Sequence, residues 1–339
     1  MLPNDRCTDV GVFDAHADLL YTVVRERSLG GKQIIEDQFL PGMRTGGIDM
    51  RVTPIYLDAD QARETATRLG LRMAEAFHAE VEQTDALENA TTAREVRAGA
   101  DSDSITLILG MEGAEPLKGD IAILDAFYRL GLRVLGLTHS RRNMAGDGAF
   151  FEPTRSGDPG GLSAFGVEAV ERCVDHGIVV DVSHLNEPGF WDVVDHTDGP
   201  IIASHSNCRK LRDHPRNLWD DQLQAVADSG GVVCINALKA YLHGDDPDIE
   251  AFVDHIEHAA DVVGVEHVGI GFDFYDYNLE YMSPVERSYM IDVSAADGLS
   301  EDSDAENLPG ALLDREFEPI EVRKLLKENF VRVFEQALD

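Results

Sequence analysis

Lysine is scarce in this chain: 6 Lys accompany 23 Arg, and together they face 63 acidic residues, for a formal net charge of −34 over 339 residues. Such a balance excludes a nucleic-acid partner, because the surface would repel phosphates. A Lys-poor, acidic exterior suits a salt-rich cytoplasm, where screening removes most self-repulsion. An unusually acidic protein from an ordinary cytoplasm is the alternative. Cysteine is also sparse. Cys7, Cys173, Cys208 and Cys234 show no CxxC spacing, so neither a disulfide framework nor a thiolate metal site is expected. No stretch approaches 18 consecutive apolar residues, which argues against a membrane-spanning helix. The N-terminus lacks a basic region followed by an apolar run, and the C-terminal stretch 327–336 is amphipathic and charged, unlike a lipid-anchor signal. These absences lead to the expectation of a soluble, cytoplasmic protein with no membrane partner.

An apolar fraction of 43% supports a sizeable core. A chain of this length makes two domains or one large α/β barrel. Eight strand candidates can be counted, at 10–13, 48–55, 104–109, 133–138, 177–182, 200–204, 231–236 and 267–271. Most are short buried runs such as Ile105-Thr106-Leu107-Ile108-Leu109, as in parallel strands covered on both faces. Helical periodicity fills the intervals at 61–100, 119–130, 164–176, 187–196, 219–229 and 249–263, and again at 319–337. Repeated strand–helix alternation predicts an α/β fold, a single-domain (β/α)₈ barrel of the TIM type over residues 1–339. An open doubly wound sheet is the runner-up, weakened because no GxGxxG follows the first strand. Residues 274–318 stand apart. They carry Tyr275, Tyr277, Tyr281 and Tyr289 and the acidic run from Glu301 to Glu306. Following the eighth strand, they would lie over the catalytic mouth as a lid or as a subunit contact, the latter allowing a homodimer.

Ligand-type side chains terminate several of these strands. His16 and Asp18 follow the first, Glu112 the third, His184 and His205 the fifth and sixth, and Asp273 the eighth. In a parallel barrel all such ends meet on one face, where active sites are built. His16 and Asp18, two residues apart, point to the same side of an extended segment and could grip one cation. Imidazole with carboxylate suits zinc or a similar borderline metal. Glu112, flanked by Gly110 and Gly113, is either a turn acid or a carboxylate bridging two metals. His184 and His205 end neighbouring strands and could chelate a second cation, although a histidine taken singly is more often a capping or core residue. His139 follows the fourth strand and could polarise a carbonyl or orient substrate. Arg216 lies in a loop, 205–217, unusually basic for this chain, and could hold a substrate carboxylate by paired hydrogen bonds. Arg209 and Arg212 of that loop fit surface ion pairs equally well. Asp273 is the candidate proton shuttle. His78, His176, His196, His255 and His258 fall on expected helices and read as structural or surface residues.

At these residues the chain resembles the membrane (renal) dipeptidase family of the amidohydrolase superfamily. The resemblance rests on Asp14-Ala15-His16-Ala17-Asp18, Glu112-Gly113, Leu137-Thr138-His139, Asp181-Val182-Ser183-His184, Ser204-His205-Ser206-Asn207 with Arg216-Asn217, Gly269 to Phe274, and Asn329-Phe330-Val331-Arg332-Val333. They occur in the family's order along nearly the whole chain. The resemblance implies two zinc ions, one on His16 and Asp18, the other on His184 and His205, with Glu112 bridging them. It further implies substrate contacts from His139 and Arg216 and proton handling by Asp273. The expected activity is dipeptide hydrolysis through a hydroxide bridging the two metals. Two departures stand out. Asp273-Phe274-Tyr275-Asp276 replaces the common Asp-Phe-Asp-Gly, and Ala15 and Ala17 replace Gly and Asn. A lactonase or an N-acyl amino acid amidase could use the same site, and a non-catalytic metal-binding scaffold is the rival from another class.

Overall fold

The computed structural model of the protein describes residues 10–58, 64–149, 160–282, 287 and 293–338. Nine parallel strands occur among them: β1 (Val12–Asp14), β2 (Ile48–Tyr56), β3 (Leu87–Asn89), β4 (Ile105–Glu112), β5 (Leu132–Gly136), β6 (Val179–Asp181), β7 (Ile201–Ala203), β8 (Val232–Ile235) and β9 (Val268–Ile270). β1 pairs with both β2 and β9, and β2 also pairs with β4. The ring β1-β2-β4-β5-β6-β7-β8-β9 therefore closes on itself. Every expected strand lies in that ring, and the (β/α)₈ barrel is the observed fold.

One expected element is corrected. The helical reading of 61–100 is three elements: helix Ala66–Gln83, the short strand β3 paired outside the ring to β4, and helix Ala93–Ala100. The second helix is restarted by Thr92, whose side chain accepts from the Glu95 N–H while Glu95 returns to the Thr92 N–H, a reciprocal cap that stops one helix from running through. Residues 61–63 of the expected helix lie outside the described residues. So do Cys7, Tyr289 and residues 283–286 and 288–292 of the segment after β9. Cys173, Cys208 and Cys234 are buried free thiols.

The barrel interior is a packed apolar core. Phe13, Met50, Val52, Ile108, Val134, Val179, Ile202 and Val232 fill it and meet Phe330 and Phe334 of helix Asn329–Leu338. Phe330 packs edge-on against Phe13 at 4.6 Å between ring centroids, within the favoured range for aromatic pairs. Asn329 donates its side-chain amide to the carbonyls of Val265 and Val268 at 2.6 and 2.8 Å. These residues lead into β9, so the terminal helix closes the end where strands begin. The opposite end, where strands finish, is left to the polar side chains. No helix among the described residues is long and apolar enough to cross a membrane.

Candidate metal centre and active site

Each expected site residue lies at the end where strands finish. Asp18 stands at the N-terminus of helix Leu19–Ser28. Glu112 is the last residue of β4. The chain turns sharply after it at Gly113 (φ 88°), where a β-carbon would stand 2.4 Å from Glu115 Oε2; the sequence signal of a tight turn is confirmed there. His184 and Asp273 adopt left-handed backbone conformations, with φ of 69° and 60°. Non-glycine residues seldom do so, and such strain gathers at functional sites.

These ends bring the side chains together around Glu112. Its Oε1 lies 2.9 Å from His184 Nε2, 3.5 Å from His205 Nε2 and 3.8 Å from His16 Nε2. His16 Nε2 is also 3.8 Å from Asp18 Oδ1 and 4.0 Å from Asp273 Oδ1. The rings of His16 and His205 approach to 3.9 Å, and those of His139 and His184 stack at 4.2 Å. Ligand atoms of His16, Asp18 and Glu112 fall within 4.8 Å of one another, as do those of His16, His205 and Asp273 and those of Glu112, His139 and His184. His139, read from the sequence as a substrate contact, thus stands as near to Glu112 and His184 as a ligand would.

The chemistry of this cluster fits a divalent cation. His16 Nε2, His205 Nε2 and Asp18 Oδ1 are buried without a hydrogen-bond partner, which is unusual for buried polar atoms. Burial, reinforced by the Arg216 charge, pushes His16 down to about 3. Burial likewise holds His184 and His205 well below the usual imidazole range. It raises Glu112 and Asp18, with neighbouring carboxylates adding to the rise. Neutral imidazoles beside clustered carboxylates make a site for borderline metals.

Hydrogen bonds beneath the cluster orient it. Ser204 Oγ donates to Asp181 Oδ2 and lies 2.7 Å from His205 Nδ1. With its one proton committed to Asp181, Ser204 accepts from Nδ1–H, so His205 presents Nε2 as a lone pair to the centre. Asp181 Oδ1 in turn accepts from the Ser183 and Ser204 N–H groups at 2.9 Å each. Ser140 Oγ lies 2.8 Å from His184 Nδ1.

Three further groups line the space. Asp273 receives a 2.8 Å hydrogen bond from Asn236 Nδ2, and burial pushes it up to about 7 against the pull of Arg216 and Asn236. Arg216 is 2% exposed. It donates to Ser206 Oγ and to the His205 carbonyl, while its Nε is buried without a partner. Tyr21, Tyr56 and Tyr275 cluster with Met282 as an apolar, mostly aromatic wall, with Tyr56 5.1 Å from the His139 ring.

The other histidines have local roles. His78 bonds the Leu130 carbonyl, His176 pairs with Asp125 and His258 with Asp220. His196 lies 3.6 Å from Glu171, and His255 accepts from the Cys208 N–H. Arg209 pairs with Asp213, the surface role considered for it. Sequence reading missed Asn236 and Ser140 as partners of the site. Asn236 carried a usable signal, since it directly follows the apolar strand Val232–Ile235 as the other site residues follow theirs.

Comparison with known proteins finds relatives in sequence and in fold. An uncharacterized protein from the PQQ-III 3' region of Acinetobacter calcoaceticus is 30% identical over 278 residues, covering 77% of this chain and 88% of its own. The dipeptidase verJ of Clonostachys rogersoniana is 33% identical over 216 residues, covering 63% of this chain; the match spans only 54% of that protein's length. The crystal structure of a metallo peptidase from Rhodobacter sphaeroides, liganded with a phosphinate mimic of the dipeptide L-Ala-D-Ala, superposes with a TM-score of 0.85 at 28% identity, covering 97% of this chain and 99% of that one. The model of the membrane dipeptidase family, peptidase family M19, matches residues 4–339. With that match over nearly its whole length and the barrel common to its relatives, the chain belongs to the membrane dipeptidase family.

Proposed function

We propose that this protein is a zinc-dependent dipeptidase holding two cations per chain. The observation that carries the reading is the placement of Glu112 Oε1 within 3.8 Å of the Nε2 atoms of His16, His184 and His205, two of them buried without a hydrogen-bond partner. His16 with Asp18 would hold one cation, His184 with His205 the other, and Glu112 both. When bound, divalent cations at such a site supply Lewis acidity and make water a better nucleophile at neutral pH.

The remaining steps belong to side chains of this chain. Arg216, with its unpartnered Nε, holds the carboxylate at the C-terminal end of the substrate. Anchoring that group favours a dipeptide over a long chain. His139 approaches the scissile carbonyl oxygen and steadies its developing charge. Asp273, pushed up to about 7, is poised to take a proton from the attacking water and pass it to the leaving amine. Asn236 holds one oxygen of Asp273, leaving the other toward His16. The dipeptide mimic bound by the Rhodobacter relative supports a dipeptide substrate, and its D-Ala end makes a D-residue at that position worth testing. The segment 274–318 would cover this mouth as a lid or join a second subunit.

A screen of dipeptides, N-acyl amino acids and lactones on protein loaded with Zn²⁺, together with metal stoichiometry, tests the assignment. Dipeptide turnover with close to two zinc ions per chain is expected. Preference for lactones, or zinc-independent turnover, would overturn it.

A further inference from the structure

The acidic run after β9 is anchored inside the molecule. Asp302 presents both carboxylate oxygens to the guanidinium of Arg51, at 2.9 Å to Nη1 and 2.5 Å to Nη2. The Arg51 side chain is fully buried, and that of Asp302 is 13% exposed. The backbone of this segment also docks tightly. A β-carbon on Gly46 would stand 1.9 Å from the Asp302 carbonyl oxygen, so only glycine permits the approach.

Arg51 continues the chain of contacts inward. Its Nε donates to Asp14 Oδ2 at 2.9 Å, and Asp14 is fully buried. Asp14 Oδ1 accepts from two backbone N–H groups, His16 at 3.3 Å and Phe272 at 3.0 Å. One of these belongs to a candidate ligand and the other precedes the candidate proton shuttle, Asp273. A planar guanidinium gripped on its fork by one carboxylate has a fixed direction for its remaining donor. Buried ion groups of this kind contribute little net stability compared with apolar packing, whereas hydrogen bonds behind metal ligands commonly set metal affinity; here the hydrogen bond reaches the His16 backbone and so fixes where the imidazole starts from.

We propose that Arg51, clamped by Asp302, is a positioning residue: through Asp14 it aligns the His16 end of β1 with the Asp273 end of β9, so that the segment after the last strand sets the geometry of the His16–Asp18 half of the metal centre. The inference rests on the proposed metallopeptidase function.

The test uses the zinc-loaded full chain, with release of zinc to a competing chelator and dipeptide kinetics measured side by side. Asp302→Asn removes the clamping charge and keeps the shape. Arg51→Lys keeps the buried charge but loses the fork, and it carries the test if the Asn variant does not fold. For either variant, one of two zinc ions should be released at a roughly 10–100-fold lower chelator strength, the usual scale for such partners. The second ion should be held as in the parent, and kcat should fall with KM little changed. Zinc release and kcat matching the parent, even with a lowered melting temperature, would overturn the proposal and leave a merely structural ion group. A parent that binds two zinc ions but hydrolyses no dipeptide would defeat the proposed function, while the release measurement would still decide the role of Arg51.

Discussion

Asp273 and His16 face each other across the junction of β9 and β1, with Oδ1 of the acid 4.0 Å from Nε2 of the imidazole. Asp273 therefore borders the candidate metal centre on its His16 side, while Glu112 stands at its middle. The same acid is held from behind by Asn236 and sits in a left-handed backbone conformation. A group so placed can move protons beside a cation.

Asp273→Asn preserves the shape and removes the basic oxygen. Zinc content should stay near two per chain while kcat falls by roughly 10²–10⁴-fold, the usual scale of acid–base assistance. KM should change much less, because the lost interaction belongs to the transition state. Steady-state kinetics with parallel metal analysis checks this, and near-normal turnover would remove Asp273 from the mechanism.

Metal removal separates the histidines. Strong chelation should abolish activity, and zinc should restore it. His205→Ala should lose mainly one of two ions. His139→Ala should retain both and lose kcat, if His139 serves the substrate. Because His139 lies close enough to Glu112 and His184 to bind a cation, loss of an ion in that variant would instead make it a ligand. Ser204→Ala should weaken zinc binding by roughly 10–100-fold by freeing His205 to rotate.

Arg216→Ala should weaken binding of dipeptides with a free C-terminal carboxylate and have little effect on their amides. Comparing KM for matched acid and amide substrates checks this. Equal losses for both would show that Arg216 acts through the His205 carbonyl and Ser206, which it already contacts.

Salt should stabilise the fold. Cations are so scarce on this surface that Arg315 is shared among Glu250, Asp254 and Glu257, and Lys239 between Asp246 and Asp297. The unmatched acids repel one another over a screening length of ~30 Å at 0.01 M salt but only ~3 Å at 1 M. Melting temperature should rise between low and molar KCl. A flat profile would refute adaptation to a salt-rich cytoplasm and leave the enzyme assignment intact.

The barrel, and the convergence of most candidate site residues on one end of it, were legible in the sequence because both rest on local patterns. Short apolar runs such as Ile105–Leu109 become buried parallel strands wherever the chain places them, and a ligand-type residue just past such a run must sit on the face where strands end. His16, Asp18, Glu112, His184, His205 and Asp273 all obey that rule, and so does Asn236, although its amide is not a usual ligand. The break at Thr84–Thr92 was obscured because its flanks share helical periodicity. Only the tertiary structure decided what pairs with what. Ring closure between β1 and β9 sets Asp273 beside His16, and the docking of the acidic segment buries Asp302 against Arg51, 251 residues away in the chain. From the sequence that segment reads as an irregular, charged stretch. Its role depends on Gly46 admitting its backbone and on one arginine that no local signal marks, because an ion pair is specified by distance in space and leaves no periodicity along the chain.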